Sequence, residues 1–178
     1  MKKYHLIVIG AGSGGLVCAA GAVILGAKVA LIEKHKMGGD CLNTGCVPSK
    51  AIIRSAKLAY DAKTAHRFGI PDLKPDLKLD RILESVREVQ KKIEPHDSEE
   101  RFSSLGVDVF RGSFHFASPH EITDGRETLS AKRFVIATGG SPSIPPILGL
   151  EDTPYLTSEN VWDLKELPPR EEMDEALF

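Results

Sequence analysis

Two cysteines, Cys41 and Cys46, stand five residues apart in the segment GGDCLNTGCVPSK, which runs from Gly38 to Lys50. A disulfide between them would close a loop too small for much chain-entropy stabilisation. Such a bridge is better suited to opening and closing than to holding a fold together. Pro48 suits the first turn of a helix, and a helical pattern begins directly after it. Cys46 then sits near a helix N-terminus, where the dipole favours thiolate. Lys50, four residues on, adds a cation about one turn along the same side. The competing reading is a reduced, buried pair, because cysteine packs as a small hydrophobe. The flanking glycines and polar residues make the segment too open for that. Cys18, alone among alanines in an apolar helical pattern, reads as an inert core thiol. No histidine stands at a ligand spacing from Cys41 or Cys46 and no second cysteine pair exists, so no metal site is expected.

A second constellation opens the chain. Gly10, Gly12 and Gly15 form G-x-G-x-x-G in the loop GAGSGG, with Ser13 and Gly14 between them, directly after a strand pattern and at the start of a helical one. One glycine makes a tight turn, one lets backbone approach a pyrophosphate, and one lets helix and strand pack closely. The helix N-terminus offers unpaired N–H groups and partial positive charge to phosphates. Glu33 ends the next strand pattern, about twenty residues on, where a carboxylate can accept hydrogen bonds from ribose hydroxyls. That acid favours FAD or NAD over a 2′-phosphorylated dinucleotide.

These groups need a scaffold. Tyr4–Ile9 reads as a strand, Leu16–Gly26 as a buried helix, and Lys28–Ile32 as a second strand, with Lys34-His35-Lys36 marking the next turn. This βαβ order implies a doubly wound α/β, Rossmann-like fold with a parallel central sheet. Residues 37–50 read as a glycine- and cysteine-rich loop. Helical patterns follow from Lys50 to about Arg67, with an apolar stripe at Ile53, Ala56, Leu58 and Ala59, and from about Leu79 to Leu105. Pro95 interrupts or kinks the second. After Gly106 the period changes to two, predicting short strands at Val107–Phe110, Phe114–Phe116, Glu121–Thr123, Thr128–Ser130 and Arg133–Ile136. Asp124-Gly125 signals a hairpin turn between two of them, so a small antiparallel β-meander joins the parallel sheet.

Acidic and basic residues are interspersed, 25 against 23, which excludes a long nucleic-acid footprint. The apolar stretch Leu16–Ala27 is interrupted by glycines and falls short of a bilayer span, and the N-terminus lacks the pattern of a signal peptide. Three cysteines make an odd count, which argues against a secreted disulfide framework. A catalytic thiol pair fits the cytoplasm.

In combination, the glycine fingerprint, Glu33 and CLNTGCVPSK resemble the class I pyridine nucleotide–disulfide oxidoreductase family, to which dihydrolipoamide dehydrogenase, glutathione reductase and mercuric reductase belong. The resemblance runs from about residue 4 to Arg170. It implies an FAD-binding segment, with Cys46 next to the flavin in a charge-transfer pair and Cys41 exchanging with substrate. Lys50 would lie near the flavin N5. The glycine loop, Glu33, Lys34, Gly39 and Asp40 would contact the cofactor. So would the turn Ala137-Thr138-Gly139, Ser113 after Gly112, and Ser158 in TSEN. Asp40 departs from the threonine usual in the family, and Thr44 stands where relatives often have valine. Ser49-Lys50 replaces the lysine pair of glutathione reductase-like members. The phrase IEPHDSEERF favours the mercuric reductase-like and dihydrolipoamide dehydrogenase-like branches, the first slightly.

The same resemblance divides the chain into an FAD-binding segment at 1–150, a linker towards an NAD(P)H domain at 151–170, and an acidic tail at 171–178. The intact relative is a homodimer that passes electrons from NAD(P)H through FAD to the cysteine pair and on to a small molecule, Hg(II) or a disulfide such as lipoamide. The 178 residues alone are expected to be inactive with NAD(P)H. The alternative is a flavin- or nucleotide-binding module without catalysis, or a truncated gene product. His96, His115 and His120 have no spacing that supports acid–base work.

Overall fold

The computed structural model describes residues 2–167. The expected acidic tail at 171–178, and the end of the expected linker, lie outside the described residues. Two compact units are present among the described residues, one formed by residues 2–46 with Gln90–Ser141, the other by Val47–Val89 with residues 142–167.

The first unit is built on one six-stranded sheet in the order β3-β2-β1-β6-β5-β4. Strands β1 (Lys2–Ile9), β2 (Val29–Glu33), β3 (Val107–Arg111) and β6 (Thr128–Ile136) run parallel. Strand β5 (Glu121–Thr123) adds antiparallel to the early part of β6, and β4 (His115–Ser118) adds antiparallel to β5. The α/β, mostly parallel architecture expected from the βαβ order is therefore the observed one. All five residues of β2 are buried, as a central parallel strand requires. One core gathers Val8, Leu31 and Val107 with Leu16 and Ala19 of helix α1 (Ser13–Ile24) and with Phe102 of α5 (Glu99–Ser104). A second core gathers Tyr4, Ile7, Ala30, Ile32, Ile122, Leu129 and Ala131.

Several expectations about elements are corrected. Residues 37–50 are not a loop: Gly39–Asn43 form a short helix, α2, and α3 (Cys46–Lys63) begins at Cys46 itself, with Pro48 as its third residue. The long helix divides at Pro95, as its missing N–H requires. Helix α4 (Leu79–Ile93) ends before it, a 3-10 turn covers Glu94–Asp97, and Ser98 caps α5 by accepting from the Arg101 N–H. The two strands expected at 128–130 and 133–136 are one strand, because β1 pairs with β6 from Leu129 to Ile136.

Cys18 is exposed rather than buried in a core. Helix α1 buries Gly15, Leu16 and Ala19 and packs Ala20, Ala22 and Val23 partly against the same core, leaving Val17 and Ile24, with Leu25 just after the helix, between 72% and 88% exposed. The period of 3.6 turns Cys18 away from that contact line. The apolar stripe expected on α3 is likewise open, with Ile53 and Leu58 exposed, whereas α4 buries Leu79, Leu83 and Val86.

Candidate dinucleotide cleft and thiol segment

The carboxyl ends of parallel strands are where open α/β sheets bind ligands. Here the ends of β1, β2 and β6 surround a cleft of 710 Å³. The first turn after β1 is held from three sides. The Gly10 N–H donates to the Ile32 carbonyl at 2.8 Å, and a methyl on Gly10 would lie 2.2 Å from the Ala137 oxygen. Gly15 packs α1 against this turn so closely that a methyl there would sit 1.8 Å from the Gly10 oxygen. Gly15 does not line the cleft; its work is packing, while Gly10, Gly12, Ser13 and Gly14 form the wall.

Gly12 is the N-cap of α1 and supplies no side-chain cap, and the first turn carries no acid. Its orphan N–H groups therefore open onto the cleft with the partial positive charge of the helix. A methyl on Gly14 would meet nothing within 4 Å, so that glycine leaves open space rather than relieving a clash.

Glu33 is 8% exposed. Its Oε2 accepts the Ala11 N–H at 2.7 Å and its Oε1 accepts the His35 N–H at 2.6 Å. The carboxylate thus fastens the glycine loop to the end of β2. A carboxylate has about four acceptor positions, so capacity remains for a hydroxyl donor in the cleft that it lines.

The thiol segment is docked onto the same loop. The Gly38 N–H donates to the Ala11 carbonyl at 2.9 Å, and Gly38 adopts φ 84° to start α2. Helix α2 brings Asp40 and Cys41 to the cleft, with Cys41 half-buried and Asp40 exposed. Gly45, between the cysteines, is held against the Asp40 carbonyl, where a methyl would come within 2.9 Å. Cys46, exposed, opens α3 and is not among the residues that line the cleft.

Lys34 and the turn Ala137–Gly139 complete the wall, with Gly39 below them. Ser113 lines an adjoining hollow of 210 Å³ that shares Gly10, Glu33, Lys34 and Thr138 with the main cleft. His35, Lys36, Asn43, Thr44 and Gly140 also line the cleft and were not expected from the sequence to contact a cofactor. Their signal was adjacency to the motifs. Lys50 falls within α3, four residues after Cys46, and Ser158 lies in a turn of the second unit; both are exposed.

The donor set fits a dinucleotide. It comprises an uncapped helix N-terminus beside cations at Lys34 and Lys36, a buried acid beyond it, and a glycine wall without side chains.

Comparison with known proteins decides the lineage. The pattern of the pyridine nucleotide-disulphide oxidoreductase family matches residues 4–175. The chain belongs to this family.

Among curated members, a mercuric reductase of Lysinibacillus sphaericus is 34% identical over 168 residues, covering 94% of this chain and 31% of the relative. A dihydrolipoyl dehydrogenase of Acholeplasma laidlawii is 35% identical over 173 residues, covering 94% of this chain and 51% of that protein. A solved structure of the HOCl-induced flavoprotein disulfide reductase RclA from Escherichia coli, in complex with Cu(II), superposes with a TM-score of 0.75 at 26% identity. It covers 94% of this chain and 36% of that one. The chain thus spans about a third to a half of the length of these members. Among the described residues, no helix is long and apolar enough to cross a membrane.

Proposed function

We propose that the cleft binds FAD and that the chain is the flavin- and thiol-bearing portion of a disulfide oxidoreductase. The observation that carries this reading is convergence on one cleft of the uncapped α1 N-terminus, Glu33, the Ala137–Gly139 turn and Cys41. Gly12, Ser13 and Gly14 would hold the pyrophosphate, and Glu33 a ribose hydroxyl. Ser113 would face the adenine side. FAD, when bound, would supply the two-electron relay between a nicotinamide donor and the cysteine pair.

The chain's own chemistry is thiol–disulfide exchange. The Cys41 thiolate attacks a substrate disulfide sulfur, forming a mixed disulfide and releasing one substrate thiolate, which takes up a proton. The Cys46 thiolate then attacks the Cys41 sulfur, expels the second substrate thiolate and closes the Cys41–Cys46 bridge. Lys50, in the helix that Cys46 begins, would favour the thiolate. Substrates of the relatives' kind, Hg(II) or a disulfide such as lipoamide, fit two adjacent thiolates. The setting is a cytoplasmic homodimer, with residues 1–150 as the first FAD segment and 151–170 leading towards an NAD(P)H domain.

FAD titration followed by flavin fluorescence, then anaerobic reduction of the loaded chain, tests the assignment. Expected are saturable binding and a long-wavelength absorbance that disappears in Cys46→Ser. Absence of FAD binding, or a band unchanged in Cys46→Ser, would overturn it.

A further inference from the structure

The segment between the two cysteines is held by a residue far away in sequence. Gln90, in the last turn of α4, donates from Nε2 to the Leu42 carbonyl and to the Asn43 carbonyl, both at 2.9 Å. These are carbonyls at the C-terminal end of α2, which have no partner within so short a helix. Asn43 turns back in the same place, donating from Nδ2 to the Met37 carbonyl at 3.0 Å and to the Gly39 carbonyl at 2.8 Å. One primary amide has two donors, and here both are spent on consecutive carbonyls within the five-residue span from Cys41 to Cys46.

We infer that Gln90 is a positioning residue for the cysteine pair and tunes its redox equilibrium. This rests on the reading of Cys41 and Cys46 as a redox couple. Reduction by glutathione follows protein disulfide + 2 GSH → protein dithiol + GSSG, with two electrons and two protons passing to the protein sulfurs. In the disulfide form the bridge itself limits the segment. In the dithiol form the limit comes from hydrogen bonds such as those of Gln90. The clamp therefore reduces the freedom that bridge formation must remove, and favours the disulfide. Losing it makes the disulfide easier to reduce.

The test uses the chain with Cys18→Ser, which removes the remaining thiol. Gln90→Met keeps length and apolar packing without donors, and Gln90→Lys restores a donor. Each is equilibrated in glutathione buffers of varied ratio, trapped by alkylation and read by mass spectrometry. Folding is checked by circular dichroism. Gln90→Met is expected to shift the equilibrium towards dithiol by about tenfold, which for a two-electron couple is about 30 mV towards more positive potential. Gln90→Lys is expected to recover most of the shift.

Equal potentials in all three chains would overturn the role of Gln90 while leaving the couple intact, even if Gln90→Met melts at lower temperature. A shift in Gln90→Lys equal to that in Gln90→Met would do the same. Failure of any chain, including the one with Gln90, to form a Cys41–Cys46 disulfide at any poise would overturn the redox reading itself.

Discussion

Gly12 and Gly39 meet backbone against backbone: a methyl added to Gly39 would lie 2.6 Å from the Gly12 Cα. The first residue caps the helix that faces the cleft, and the second begins the helix that carries Cys41. Gly39 is the residue that the approach requires, since a methyl on Gly12 would lie at an ordinary 3.7 Å from the Gly39 Cα. Together with the bond from the Gly38 N–H to the Ala11 carbonyl, the contact joins the glycine loop and the thiol segment into one continuous wall.

Gly39→Ala should therefore damage the fold as well as the cleft. Gly39 has φ 54°, where a Cβ costs about 1–2 kcal/mol. Overlap with backbone adds a comparable amount. A loss of about 2–4 kcal/mol is expected, read as a lower urea midpoint with unchanged slope. Gly14→Ala is the control. It has open space around it and should leave stability unchanged or raise it by about 0.5–1 kcal/mol, while weakening FAD binding at the cleft wall.

Glu33→Gln separates an acceptor role from mere burial. The amide retains one oxygen and sets an NH₂ group against a backbone N–H, so either the Ala11 or the His35 bond is lost. A hydrogen bond to a charged acceptor contributes about 1.5–3 kcal/mol. Denaturation of the apo chain should show a loss of that size, and FAD affinity should fall in parallel. Unchanged stability would mean that the loop does not depend on the carboxylate.

Asp40 puts a carboxyl group on the wall of the cleft, beside the glycine loop. If the cleft takes a pyrophosphate, Asp40→Asn should tighten FAD binding by roughly two- to fivefold at low ionic strength. The gain should fade as salt screens the exposed charge. Isothermal titration at low and high salt measures this. An affinity unaffected by the substitution at low salt would place the phosphates elsewhere.

Tyr4 gives a pH signature far from the cleft. Burial first, then its hydrogen bond to the Asp108 carboxylate and that group's charge, push the Tyr4 phenol well above its usual range. The O–H donates to Asp108 Oδ2 at 2.8 Å. Because the folded-state value is raised, this stabilisation is complete below the unfolded value of about 10 and is lost as pH rises towards the folded one. Tyr4→Phe should be less stable than the parent by about 1 kcal/mol at pH 7. The difference should hold to about pH 9 and narrow above about pH 10, when followed by urea unfolding. A gap that stayed constant to high pH would rule out this linkage.

Much of the architecture was legible because it depends on local chemistry. The strand, glycine loop, helix and acid-terminated strand are consecutive in the chain, and each has a residue signal of its own. The β5–β6 hairpin was legible for the same reason: Asp124 accepts the Arg126 and Glu127 N–H groups, a turn preference that the Asp-Gly pair announces. Helix α2 was missed because it is five residues long and flanked by glycines, below the length at which periodicity speaks. It is held instead by Gln90, 47 residues beyond Asn43. The burial of Cys18 was misread because alanines and glycines on every side of α1 hide which face meets the sheet.

The sequence by itself determined which groups could act: a glycine-lined helix start, an acid at the end of the second strand, and two thiols five residues apart. Residue type and spacing suffice there, because tight turns, helix dipoles and thiol chemistry are properties of a few neighbouring atoms. The tertiary structure decided which of them share one cleft, that Glu33 also fastens the Ala11 loop, and that Gln90 holds the turn between the cysteines. Those outcomes depend on strand order and on contacts between residues far apart in the chain, which no local pattern encodes.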